Sequence, residues 1–181
     1  MKAIAMPTTL AGACIAVMFL MASAVQADIS RFFGSYVGSA DVISADGSKR
    51  PRDMSVEISG IKNGFRVNWT STTYRANGTA KEKSYTIDFL PSDRDGVFAS
   101  AMKRNVFGHD VQLDPMKGEP YVWGRIEGDM LSVYSMFVTE EGGYEIQQFD
   151  RTLAPGGLQL EFQNVRNGNI LRTVSTFLEK Q

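Results

Sequence analysis

Between Tyr121 and Leu153 the apolar positions fall into three consecutive runs, Tyr121–Glu127, Met130–Thr139 and Tyr144–Leu153. They are rich in Tyr, Trp, Val, Ile and Phe, the residues that suit a pleated, half-buried surface. The joints, Gly128-Asp129 and Glu140-Glu141-Gly142-Gly143, are turn chemistry. A two-residue turn at Gly128-Asp129 pairs Ile126 with Leu131, Gly124 with Val133 and Trp123 with Tyr134. Side chains alternate with period two, so Val122, Gly124, Ile126, Leu131 and Val133 share one face. Tyr121, Trp123, Arg125, Ser132, Tyr134 and Met136 share the other. Neither face is polar, so this pair is either covered on both sides or lines a cavity with one of them.

The same grammar repeats on both sides of this stretch. Met54–Ile61 and Phe65–Tyr74 flank Asn63-Gly64, the strongest kind of short hairpin signal. A two-residue turn there pairs Ile58 with Trp69, Gly60 with Val67 and Val56 with Ser71. Glu57, Ser59, Arg66, Asn68 and Thr70 gather on the opposite face, which makes Trp69 an inward core residue rather than a ligand platform. Asn77-Gly78 leads into Lys81–Leu90, where Tyr85, Ile87 and Phe89 share a face, and Val97–Met102 follows as a shorter strand. A last hairpin, Leu158–Val165 with Ile170–Leu178, turns at Asn167-Gly168. It collects Leu158, Leu160, Phe162, Leu171 and Phe177 on one face and Gln159, Glu161, Gln163 and Arg172 on the other, with Val174 the exception. Near the start, Asp28 caps a short helical turn through Phe33, and Gly34-Ser35-Tyr36 opens a strand towards Ile43. Asp46-Gly47-Ser48 and Lys49–Arg52 read as a charged, solvated loop.

About ten strands at spacings of about 8–12 residues result, with short links. The predicted fold is all-β: an antiparallel up-and-down meander closed into a barrel, with a curled half-barrel as the alternative, since each removes open edges. No internal repeat or second domain is visible. One connection is long and irregular: Lys103–Pro120 carries Val106, Phe107, Val111, Leu113, Met116, two prolines and the single histidine, His109. It is too apolar for a solvated linker and reads either as a lid over one barrel mouth or as a loop capping the floor.

The N-terminus changes the domain picture. Lys2 and the apolar run Leu10–Val25 resemble a signal peptide, with small residues at Ala22-Ser23-Ala24 or Val25-Gln26-Ala27 for cleavage. We expect residues 1–27 to be removed and Asp28–Gln181 to form one domain. An uncleaved anchor is the rival, because the run is nearly long enough to span. A lipoprotein signal is weaker, since Cys14 comes too early in the run. The expected compartment is periplasmic or extracellular, with no stable membrane span after cleavage. Cys14 is the only cysteine, so the mature chain would cross an oxidising compartment without disulfides and rely on its core. A domain of this size buries roughly 70% of its unfolded surface, which suffices. Without Lys2, 18 basic residues face 20 acidic ones. No basic block supports a nucleic-acid partner.

Candidate chemistry is sparse. A metal or haem site at His109 finds only Asp110 and Asp114 nearby in the chain, no second histidine and no mature cysteine, so we expect no cofactor. Gly-x-Ser-x-Gly elbows and phosphate loops are absent, and Glu140-Glu141 sits in a turn. Enzymatic activity thus has no positive motif, and the sequence leans away from it. The candidate ligand-binding set is Tyr121, Trp123, Arg125, Tyr134 and Met136, with Phe107 and His109 from the long loop. Arg125 would meet an acidic head while the aromatics cover the body. The alternative is an outer face under the loop, with Arg125 paired locally to Glu127.

Phe32-Phe33-Gly34-Ser35-Tyr36, placed before a meander, resembles the opening of the calycin superfamily, which includes the lipocalins. Those families commonly begin Gly-x-Trp, with a late arginine packed across the tryptophan. Gly34 and Tyr36 match, with Tyr in place of Trp, and Arg172 is the late arginine. The resemblance implies a barrel whose interior takes a small apolar ligand. A second likeness is to the open half-barrels of periplasmic lipid and lipoprotein carriers, which share export and curvature. The function expected is an exported β-barrel binding a small apolar or amphipathic molecule as carrier or sensor. The alternative is a non-catalytic cell-envelope structural protein with a filled barrel and a protein partner.

Overall fold

The computed structural model describes residues 28–75, 77–101, 103–104, 108–111 and 113–181. The expected signal segment 1–27 and the candidate residue Phe107 lie outside them. At the start of the described chain Asp28 Oδ1 accepts from the Ser30 amide at 2.9 Å and caps a 3-10 turn, Ile29–Phe32. Strands β1 (Gly34–Ser44), β2 (Lys49–Ile61), β3 (Gly64–Tyr74), β4 (Ala80–Pro91) and β5 (Val97–Ala101) follow. Two-residue strands β6 (Lys103–Arg104) and β7 (Asp110–Val111) pair with each other. After a 3-10 turn at Pro115–Lys117 come β8 (Tyr121–Glu127), β9 (Met130–Val138), β10 (Tyr144–Ala154), β11 (Gly157–Arg166) and β12 (Asn169–Lys180).

Ten of these strands form a closed antiparallel barrel in the order β1-β12-β11-β10-β9-β8-β5-β4-β3-β2. Each strand neighbours its successor, apart from the step over β6 and β7, and β12 returns to β1, pairing Tyr36 with Lys180. The expected meander barrel is therefore the fold, and the half-barrel alternative falls. A closed barrel of this kind is also the architecture that the calycin resemblance implied.

The β8–β9 register is the predicted one: Ile126 pairs with Leu131, Gly124 with Val133 and Trp123 with Tyr134. Two other registers need correction. In β2–β3, Ile61 pairs with Gly64, so the turn is Lys62-Asn63, one residue earlier than expected, and Ile58 meets Val67. Only glycine fits at this first position of β3, because a Cβ on Gly64 would overlap the Phe89 carbonyl oxygen. Moving the turn by one residue moves the pairing by two, so every side chain keeps its face.

In β11–β12 the hairpin starts as expected, with Arg166 opposite Asn169, but the register shifts between Asn164 and Val165. Beyond this bulge Leu160 faces Thr176 and Leu158 faces Leu178. A slip of one residue exchanges the two faces. Arg172, Val174 and Leu178 thus turn inward, while Phe177, expected inward, is 38% exposed. The late-arginine match is corrected with it. The cation over the Tyr36 ring is Lys180, its Nζ 5.8 Å from the centroid and donating to the Phe33 carbonyl at 3.0 Å.

One barrel end is filled. Phe65 stacks on Phe89 at 4.9 Å and meets Phe98 edge-on at 5.0 Å. Phe32 enters from the 3-10 turn and is fully buried, its carbonyl accepting from the buried Tyr36 hydroxyl at 2.9 Å. Ile58, Ile126, Leu131 and Leu158 complete the cluster.

Gly64→Ala should lower stability by roughly 3 kcal/mol, because the new methyl meets backbone rather than a movable side chain. Gly47→Ala, at a solvent-facing turn with φ +80° and open space around it, should lose only about 1 kcal/mol, the left-handed penalty. Urea midpoints of the two variants check the contrast.

Candidate functional site

The barrel's other end is not filled. There the inward positions enclose a cavity of about 700 Å³, within the range of roughly 300–1,000 Å³ usual for small-molecule pockets. Its deeper wall is aromatic and aliphatic, with Trp69 from β3, Ile87 from β4, Val133 from β9, Phe149 from β10 and Leu160 and Phe162 from β11, while the exposed Tyr85 of β4 lies at its edge. Trp69 stacks on Tyr85 at 5.1 Å and reaches Phe149 at 5.7 Å, and Phe149 continues to Phe162 at 4.6 Å. Trp69–Tyr85 and Phe149–Phe162 are neighbours on adjacent strands, and the Trp69–Phe149 contact, from β3 to β10 across the barrel, joins them into one belt.

Towards the mouth the same inward parity carries small polar residues and cations. Ser71, Thr73, Ser135, Gln147 and Asn164 line the cavity, with Arg50 and Arg52 from β2, Lys81 and Lys83 from β4, Arg172 from β12, and Arg75. No Asp or Glu is among the described lining residues, and no ion pair joins these cations to a carboxylate among the described residues. Burial first, and then the like charge of Arg172, push the Arg52 guanidinium below its ordinary range. Its Nε donates to Thr73 Oγ1 at 3.0 Å. The Lys49–Arg52 segment, expected in a solvated loop, is thus the start of a strand whose alternate residues reach the cavity.

Two polar groups on the cavity wall are buried and unsatisfied. Arg151, 3% exposed, has no hydrogen-bond partner at Nε or Nη1. Its guanidinium carbon lies 5.5 Å from the Phe149 ring centroid. Burial lowers its pKa to about 10, against the pull of the Asp150 carboxylate, so it remains charged at neutral pH. Asp150 itself accepts from Ser132 at 2.5 Å and Gln148 at 2.7 Å. Asn164 spends its amide on Glu145 at 2.8 Å, leaving Oδ1 without a partner. Glu145 is tied a second time, accepting from Arg166 Nε at 2.9 Å and Nη2 at 2.6 Å.

The candidate ligand set lies elsewhere. Tyr121, Trp123 and Arg125 alternate with the core residues Val122 and Ile126, and Tyr134 and Met136 with the inward Val133, Ser135 and Phe137, so all five point away from the cavity. There Trp123 stacks on Tyr134 at 4.8 Å and touches Tyr121 at 5.8 Å. Arg125 pairs with Glu127 at 2.9 Å, the local pair weighed above. His109 is exposed in the connection between β6 and β7. Gly118 and Pro120, the end of the long loop, line the mouth, which puts that part of the loop at the open end and not at the floor. No three of His, Cys, Asp and Glu gather as metal ligands among the described residues. No described helix is long and apolar enough to cross a membrane.

Comparison with known proteins gives little to set beside this geometry. No family model matches, and no curated protein matches. Among solved structures, Rv2717c from M. tuberculosis is similar with a TM-score of 0.49 and 12% identity, over 84% of this chain and 94% of that one. The S-type phycobiliprotein lyase CPES from Guillardia theta gives 0.36 and 7%, over 84% and 89%. At these values neither likeness carries a function across.

The Glu145 linkage gives a pH prediction. Burial raises this carboxyl, but the Arg166 and Asn164 hydrogen bonds outweigh it, and the net pKa is lowered. Its contribution is therefore complete above the unfolded carboxyl pKa of about 4.3. It is lost as pH falls through the lower folded value. Glu145→Gln should be less stable than wild type at neutral pH by roughly 1–3 kcal/mol. That deficit should shrink once Glu145 is protonated in acid, as urea titrations at both pH values would show.

Proposed function

We propose that this protein is an exported binding barrel that carries or senses a small apolar or amphipathic molecule in its interior. The observation behind this reading is the unfilled cavity with its belt of Trp69, Tyr85, Phe149 and Phe162. A barrel serving only as an envelope scaffold has no need of such a space, because unfilled apolar volume weakens the fold. The filled-barrel alternative is the weaker reading for that reason. The signal-like residues 1–27 support export, and the intact mass of protein recovered outside the cytoplasm should correspond to a chain beginning at Asp28.

The two tryptophans lie on opposite faces of the wall, so they separate inner from outer binding. Titration with a bromoalkyl alcohol, an uncharged quencher, should reduce tryptophan emission in the wild type. Trp123→Phe should keep most of that quenching and Trp69→Phe should lose it. Quenching that follows Trp123 instead would place the ligand on the outer face and remove this reading.

A further inference from the structure

Resting on that reading of the cavity as a ligand site, we infer that the ligand is an anion whose acidic group, carboxylate or phosphate, is held by Arg151 at the inner end of the cavity. Three separate observations converge on this. Arg151 lines the cavity, is almost completely buried, and has unfilled donors at Nε and Nη1. A buried guanidinium without a carboxylate partner is a costly arrangement, and it becomes favourable once a planar acid group occupies its donors. The ring of Phe149 holds the guanidinium from one side without using those donors.

The second observation is the sign of the wall. Cations such as Arg52, Lys83 and Arg172 rim the entrance, and no described lining residue is acidic. Such a mouth raises the local concentration of anions and speeds their entry. The third is position. Arg151 lies opposite Leu131 and Leu160, against the filled end, four residues along β10 from Gln147. At about 3.3 Å per residue, the apolar body between the two levels has about 13 Å to occupy. That stretch is where Trp69, Phe149 and Phe162 lie. An acid group on Arg151 with a chain or ring system running up the aromatic belt uses all three features.

The test compares decanoate, decyl phosphate and the uncharged decanol by calorimetry on the wild type and on Arg151→Gln, Arg151→Met and Arg52→Gln/Arg172→Gln. At least one acid should bind about tenfold or more tighter than decanol, the increment expected of a buried charged pair, and which acid does so tells carboxylate from phosphate. That preference should vanish in both Arg151 variants and persist, with slower association, in the mouth variant. Ligand-free Arg151→Met should melt about 2–4 °C or more above wild type, since it removes an unpaired buried charge. A residue serving only the fold would do the opposite. Should the Arg151 variants fail to fold, the wild type still decides: the acid preference of a buried pair survives high salt, and that of a mouth-bound head is screened away.

Equal binding of decanol and both acids overturns the inference while leaving the cavity as a ligand site. A preference that survives Arg151→Gln but is lost in Arg52→Gln/Arg172→Gln, or by salt, also overturns it by moving the acid group to the rim. Failure of every probe to bind would remove the ligand-site reading itself.

Discussion

Pairing of β12 with β1 is the constraint on which everything else depends. Closing a ten-stranded sheet fixes an interior, and its width grows with strand number. Eight strands leave a space that side chains can just fill; ten leave more. This barrel meets that surplus differently at its two ends. At one, Phe65, Phe89 and Phe98 pack ring against ring while the 3-10 turn delivers Phe32 into the remaining gap. At the other, inward positions carry Ser71, Thr73, Ser135 and long cations. Long cations extend their charged ends towards water and leave the axis open. The cavity is thus a direct result of residue choice along strands whose inward parity is set by the closed end.

Much of this was legible in the chain. Alternation within Tyr121–Glu127 and Met130–Val138 gave the right partners because Gly128-Asp129 is a plain two-residue turn. The Asn63-Gly64 expectation misplaced its turn, yet the faces survived, since an error of one in the turn is an error of two in the pairing. Nothing in a local pattern reports that Gly64 lies against the Phe89 carbonyl, which is a contact between strands β3 and β4. In the last hairpin the local pattern misleads. A bulge at Asn164/Val165 costs one residue of register, and with it Arg172 and Phe177 exchange sides. Val174, an exception to the expected sorting, was a visible trace of that bulge, and Leu178 on the same parity was another.

The site was less legible, for a physical reason. Alternation divides a strand's residues into two sets but does not say which set faces inward when both are apolar. Tyr121, Trp123 and Tyr134 look like a ligand platform by composition, and they form a real stacked cluster, on the outside. The inward set of the same hairpin, Val122, Gly124 and Val133, looks like ordinary core. What would have pointed to the cavity is parity carried along neighbouring strands: Arg52 shares a face with Val56, Lys83 with Tyr85, and Arg151 with Phe149. Each reads alone as a solvated charge. Only the pairing of Val56 with Trp69, and of Trp69 with Tyr85, puts Arg52 and Lys83 on one wall, and the Trp69–Phe149 contact sets Arg151 across from them.

That wall also bears on why the mouth stays open. An empty apolar pocket tends to contract, because each methyl group left without neighbours forfeits packing energy. Here contraction would bury Arg52 further and press it against the like charge of Arg172, the two effects that already lower its pKa. It would also strip water from Lys81 and Lys83, which are exposed at the rim. Like charges facing one another across an entrance therefore act against collapse as well as in favour of anions. Among the described residues β5 pairs with β4 over Asp88–Pro91, and the segment from Ala80 to Ile87 is held by β3. That segment carries two of the rim cations and Tyr85.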